Sequence, residues 1–252
     1  MSPNVWIRAG IVIIYGSSID ANAHKHHAIQ VVWPKEGDCC EFNGESLSSP
    51  LIIDSNVEHQ LQLDEGWILL VEPSSVLGVT LSERLNGLPF HILDTLEAYS
   101  DLAQFSVSDE VNELLSPLFK ALILPTQSLL FNESQVSDER IKKLIVELHE
   151  CLDGDCIKPT HWRASEVAES LALSEGRFLH LFTQEIGVPW RPYLLWCRMI
   201  CAVNSILKGE SATHAAYQAG FSDSAHLSRT FKNTFGITIR QANSIFQLKK
   251  RG

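Results

Sequence analysis

Residues 220–236 read Gly-Phe-Ser-Asp-Ser-Ala-His-Leu-Ser-Arg-Thr-Phe-Lys-Asn-Thr-Phe-Gly, and they constrain the chain more than any other stretch. Leu227, Phe231 and Phe235 recur every fourth residue and form one apolar stripe of a helix. Ser222 is placed to cap its start, Asp223 suits the positive end of the helix dipole, and Gly236 closes the far end. Ser224, Ser228, Arg229 and Lys232 fall on the opposite face, as hydroxyls and cations. Upstream, residues 212–219 predict a short helix rich in small residues, with Gly220 at the turn. Amphipathic helix hairpins are common in proteins that touch no DNA. The basic outer face makes this one a candidate helix-turn-helix, whose second helix can enter a major groove.

Gly220, Phe221, Ser222 and Asp223, followed by Leu227, Ser228, Arg229, Thr230, Phe231, Lys232, Phe235 and Gly236, resemble the signature of the AraC/XylS family of bacterial transcription regulators. The resemblance implies an α+β chain of two domains. An N-terminal cupin-like antiparallel β-barrel would sense an effector and dimerise over residues 1–106. A helical linker would span 107–136, and an all-α domain with two helix-turn-helix units would bind DNA over 137–252.

A second copy of the motif is present. Residues 165–171 predict a short helix, Ala172 and Leu173 a turn, and Ser174 the cap of a second helix that Gly187 closes. Phe178 and Phe182 match Leu227 and Phe231, while Arg177, His180 and Thr183 match His226, Arg229 and Lys232. Tyr193, Leu194, Arg198 and Ala202 lie on a predicted helix over 191–208 and match the family's connecting helix, a rigid spacer between the two units. Ser137, Asp138, Glu139 and Arg140 open an earlier helix with Ile141, Leu144, Ile145 and Leu148 inside.

The roles follow from chemistry. Arg229 can bond guanine O6 and N7 together, and Ser224 and Ser228 can reach base edges or phosphates. Lys232 and Thr230 would position the DNA backbone. Arg177, His180 and Thr183 would do the same, more weakly, in the first unit. His180 stands where the family usually has arginine, and Ile239 stands where it has proline. The second change is expected to loosen the C-terminal end.

Charge agrees with a division of labour. Residues 1–159 carry 9 Lys/Arg against 24 Asp/Glu, a net of −15, whereas residues 160–252 carry 11 against 6, a net of +5. An acidic half joined to a basic one is the asymmetry of a sensor fused to a nucleic-acid module. The cysteines form no Cys-x-x-Cys pair, and no apolar run reaches membrane-spanning length, so a reducing, cytoplasmic setting is expected.

The N-terminal part predicts short strands at 5–15, 24–34, 39–42, 51–54, 58–63 and 67–72, with a loop over 16–23. His24, His26, Gln30 and His59 are the candidate effector-binding residues. Cupin enzymes hold a metal with a His-x-His pair, a carboxylate and a later histidine. Here Gln30 takes the carboxylate position, and regulators of this fold usually keep the barrel without the metal, so neither metal nor other cofactor is expected. The rival reading is a cupin-type metalloenzyme using His24, His26 and His59, with a C-terminal helical module for targeting or assembly. A third is control by a protein partner on the acidic face. The partners implied by the resemblance are double-stranded DNA, a small-molecule effector, a second copy of the chain and, for an activator, RNA polymerase. No membrane partner is expected.

Overall fold

The computed structural model describes residues 5–8, 11–93, 136–153 and 162–247. The chain divides into two compact units, one of residues 1–130 with 228–252 and the other of residues 131–227. The helical pattern read from Ala98 onward lies outside the described residues.

The first unit is built on a curled antiparallel sheet. Its strands are β1 (Val5–Arg8), β2 (Ile11–His24), β3 (Ile29–Pro34), β4 (Cys40–Phe42), β5 (Glu45–Leu47), β6 (Leu51–Ile53), β7 (His59–Val71) and β8 (Phe90–Ile92). The order is β1-β2-β7-β3-β6-β8, and β4 pairs with both β5 and β7. The path ends at β1 and β8, so the sheet is a half-barrel open at two edges.

Two strands run longer than their residues suggest. Residues 16–23, expected as a loop, continue β2, because Gly16, Ser17, Ile19, Asp20 and Ala21 pair with Gly66, Glu65, Leu63, Gln62 and Leu61 of β7. Likewise β7 runs unbroken through Asp64, Glu65 and Gly66, where two strands were expected. Cross-strand pairing outweighs the weak strand preference of Gly, Ser and Asp in both places.

The helix α1 (Val76–Leu85) is capped by Ser75, whose Oγ accepts the Gly78 N–H. Leu77, Leu81 and Leu85, spaced four apart, join a core with Ile13, Ile29, Val31, Trp33 and Leu69. Burying each leucine removes enough apolar surface to contribute about 2 kcal/mol.

The helices that follow are α2 (Glu139–Asp153), α3 (Ala164–Ser170), α4 (Glu175–Ile186), α5 (Trp190–Leu207), α6 (Ala212–Gln218), α7 (Ser224–Phe235) and α8 (Ile239–Gln247). In α2, Ile141, Leu144, Ile145 and Leu148 are buried, as their spacing predicts. Under α4 and α5, the rings of Phe178 and Phe182 meet Trp190 edge-on at 5.2 and 5.0 Å.

Ile239 stands at the start of α8. Thr238 Oγ1 accepts the Gln241 N–H at 3.2 Å, and Gln241 Oε1 accepts the Thr238 N–H at 2.8 Å. That reciprocal box replaces the missing proline as a helix start.

Candidate functional site

The two helix-turn-helix units repeat at a constant offset. Helix α4 begins at Glu175 and α7 at Ser224, 49 residues on, and each runs for 12 residues. Both end in a left-handed glycine, Gly187 at φ 78° and Gly236 at φ 70°, the conformation that lets a backbone leave a helix without a Cβ clash. Phe178 and Phe182 are buried in one copy, and Leu227 and Phe231 in the other.

The caps correspond as well. Ser174 Oγ accepts the Arg177 N–H at 3.3 Å. In α7 the cap is Asp223, whose carboxylate accepts the His226 N–H at 2.6 Å. Ser222, expected in that role, instead bonds the Asp223 carboxylate and His226 Nδ1. An ionised acceptor at the helix start outcompetes a hydroxyl.

The expected DNA-contacting residues are displayed unevenly. Arg177 and His180 are exposed on α4, and Ser228, Arg229 and Lys232 are exposed on α7. Thr183, Ser224 and Thr230 are half-buried, and the Thr183 hydroxyl donates back to the Leu179 carbonyl at 2.8 Å. His226, which aligns with Arg177, stands edge-on to Phe221 at 5.3 Å, so the two positions match in register but not in surroundings.

Arg198, which the sequence places only on the connecting helix, shapes the second turn. Arg198 on α5 donates from Nε to the Ala219 carbonyl at 2.9 Å and from a terminal nitrogen to the Gly220 carbonyl. Its guanidinium also lies 4.4 Å from the centre of the Phe221 ring. These bonds hold the carbonyls at the end of α6, which have no partner inside the helix. The available signal was a cation in the middle of α5, flanked by Cys197 and Met199.

In the first unit, the four expected effector-binding residues come together. His24 and His59 are register partners across β2 and β7, where a bulge breaks the pairing between Ala21 and His24. Their rings lie 4.3 Å apart, and the His26 ring is 5.6 Å from each. Gln30, on β3, places Oε1 2.9 Å from His26 Nε2 and 3.3 Å from His59 Nε2. All four side chains are buried. Burial pushes His24 down to about 4 and His26 to about 3, and it lowers His59, so the three rings are neutral at pH 7.

A helix-turn-helix domain model matches residues 167–244, which spans both copies. The chain carries a helix-turn-helix domain and is similar to HTH-type transcriptional regulators. It is 29% identical over 213 residues to YidL of Escherichia coli (strain K12), described as an uncharacterized HTH-type transcriptional regulator; the match covers 80% of this chain and 67% of YidL. Two crystal structures of ToxT from Vibrio cholerae share the fold of this regulator. One superposes with a TM-score of 0.51 at 14% identity, covering 94% of this chain and 99% of ToxT. The other, from strain O395, gives 0.52 at 15% identity and covers 97% of each. The helix-turn-helix match and the HTH-type relative make the chain a DNA-binding transcriptional regulator, and the metalloenzyme reading is not favoured. Among the described residues, no helix is long and apolar enough to cross a membrane.

Proposed function

We propose that this regulator reads two adjacent major-groove segments of one operator and that an effector in the N-terminal half-barrel controls its occupancy. The observation that carries this reading is the repeat itself: two capped 12-residue helices, 49 residues apart, each with an exposed arginine. Arg229 is the base-reading residue, with Ser224 and Ser228 beside it. Lys232 and Thr230 hold phosphates, and Arg177, His180 and Thr183 form the weaker foot. The imidazole of His180 lacks the fork with which an arginine makes the two-pronged guanine contact.

The functional division is 1–106 for sensing and dimerisation, 107–136 for the linker and 137–252 for DNA binding. His24, His26, Gln30 and His59 line the effector site, because they are the buried polar groups that converge inside the sheet. The protein works in the cytoplasm as a homodimer through its first domain, and it recruits RNA polymerase where it activates. Selection of bound fragments from genomic DNA by the full chain, at one fixed salt concentration, tests this. The expected result is one motif whose two half-sites lie about 10 base pairs apart. Failure to enrich any sequence would refute the regulator reading for this chain.

A further inference from the structure

The histidines His24, His26 and His59 share one wiring. Nδ1 of His24 lies 2.7 Å from the Asn22 carbonyl, Nδ1 of His26 lies 2.9 Å from the Ala28 carbonyl, and Nδ1 of His59 lies 3.0 Å from the Val57 carbonyl. A carbonyl oxygen only accepts, so each Nδ1 carries the proton and each Nε2 carries the lone pair. A backbone carbonyl on the far ring nitrogen is how proteins set the tautomer and orientation of histidines that ligate a metal. One ring nitrogen from each of the three lies within 4.8 Å of the other two.

Gln30 gives the second clue. His26 Nε2 and His59 Nε2 both face its side-chain amide oxygen, yet two lone pairs cannot bond a carbonyl oxygen. Without an ion, the amide satisfies them only by turning its NH2 group inward, with one N–H for each ring. With an ion between them, the amide oxygen stays turned toward the rings and becomes a ligand. A single amide thus serves both states by rotating about its last bond. A carboxylate would hold an ion more tightly but could not satisfy the empty site while ionised.

We propose that His24, His26 and His59, with the Gln30 side-chain oxygen as fourth ligand, bind a late first-row transition-metal dication, and that this ion is the effector. Imidazole nitrogens with one neutral oxygen suit zinc and its neighbours rather than magnesium or calcium. The inference rests on the reading of the first domain as the effector domain.

The route from the site to the DNA-reading helix is short. The Asn22 carbonyl that accepts from His24 Nδ1 also abuts Gly236, the residue that ends α7. A Cβ added to Gly236 would meet that oxygen at 2.5 Å and His24 Nδ1 at 2.7 Å. The Asn22 N–H in turn donates to the Gly236 carbonyl at 3.2 Å. Ligands about 2.1 Å from one tetrahedral ion lie about 3.4 Å from each other. Binding therefore draws the His24 ring toward the ion, and with it the contact that holds the end of α7.

The test uses the full chain stripped of metal, with zinc alone as the probe. Equilibrium dialysis with elemental analysis is expected to give one zinc per folded chain, with a rise of several degrees in thermal midpoint. His26→Ala and His59→Ala should lose that zinc. Gln30→Glu should keep it and bind at least tenfold more tightly, which supplies a readout even where the alanine variants fail to fold. Affinity for the selected DNA should change at least fivefold between the zinc-free and zinc-loaded protein. Folded wild-type chain that takes up no zinc, or His26→Ala protein that takes up as much as wild type, would overturn the site. One zinc per chain with unchanged DNA affinity would overturn its role as effector. Failure to select any DNA, with or without zinc, would instead count against the regulator reading, and the zinc count would still judge the site.

Discussion

Asn22 holds Gly236 through two donors on one oxygen: its backbone N–H reaches the Gly236 carbonyl at 3.2 Å and its side-chain Nδ2 reaches it at 3.4 Å. Residues 214 positions apart in the chain are thereby joined, one in β2 two positions from His24 and the other at the end of α7.

The absence of a side chain at Gly236 makes this approach feasible. Gly236→Ala would meet the Asn22 carbonyl and the His24 ring, at a backbone angle of φ 70° that favours glycine. The expected cost is about 1–3 kcal/mol, seen as a lower urea midpoint. Asn22→Ala, which removes only the side-chain bond, should cost about 1 kcal/mol. A Gly236→Ala protein that unfolds like wild type would show that the contact does not form in solution.

Arg198 is expected to matter for DNA binding without touching DNA. Arg198→Lys keeps the charge but loses the fork that spans the Ala219 and Gly220 carbonyls and the stacking on Phe221. A loss of about 2 kcal/mol in stability is expected, together with weaker binding to every DNA sequence. Thermal denaturation and a DNA titration on the same sample check this. Wild-type behaviour of Arg198→Lys in both would reduce the fork to a surface contact.

Arg229 and Lys232 should separate by kind. Arg229→Ala removes an exposed side chain, so the melting temperature should stay put while the preferred operator loses about 1–3 kcal/mol of binding. Lys232→Ala should weaken all sequences alike and reduce the salt dependence by about one released ion. His180→Arg, at the position that aligns with Arg229, should tighten binding. A sharp drop in melting for Arg229→Ala would make that residue structural.

Glu72 and His27 face each other 3.3 Å apart in the buried half-barrel. Burial raises the Glu72 carboxyl from 4.5 to about 8, against a smaller downward pull from the Ser74 hydroxyl, and lowers His27 to about 4. At neutral pH the pair is thus a carboxylic acid beside a neutral imidazole. The unfolded carboxyl ionises near 4.5 while the folded one stays protonated, so its contribution to stability falls as pH rises from about 4.5 to 8. His27 acts oppositely, because the unfolded ring protonates below 6.5 and the folded one only near 4. Glu72→Gln should therefore gain on wild type between pH 5 and pH 8, with the widest gap above 8. Urea midpoints at several pH values measure it, and a gap that does not change with pH would mean that Glu72 is ionised in the folded protein.

Much of the DNA-reading half was legible because its signals are local. A stripe at every fourth residue, a cap and a closing glycine all lie within one helix, and they placed α4 and α7 within about a residue. Thr238 and Gln241 form the same kind of local signal, a reciprocal cap three residues apart. Residues 16–23 were not readable as strand, since Gly, Ser and Asp pair there only because β7 lies alongside.

The histidines show the same division. His24, His26, Gln30 and His59 stood out in the sequence as polar residues among strand formers, and that much is local composition. Their convergence required β2 and β7 to pair His24 with His59, and the proton on each Nδ1 required three backbone carbonyls to lie within reach. So did the contact between Asn22 and Gly236. The sequence by itself determined the helices, their caps and the repeat, because those interactions close within a few residues. The tertiary structure alone decided which distant groups meet, because strand pairing and burial act across the chain.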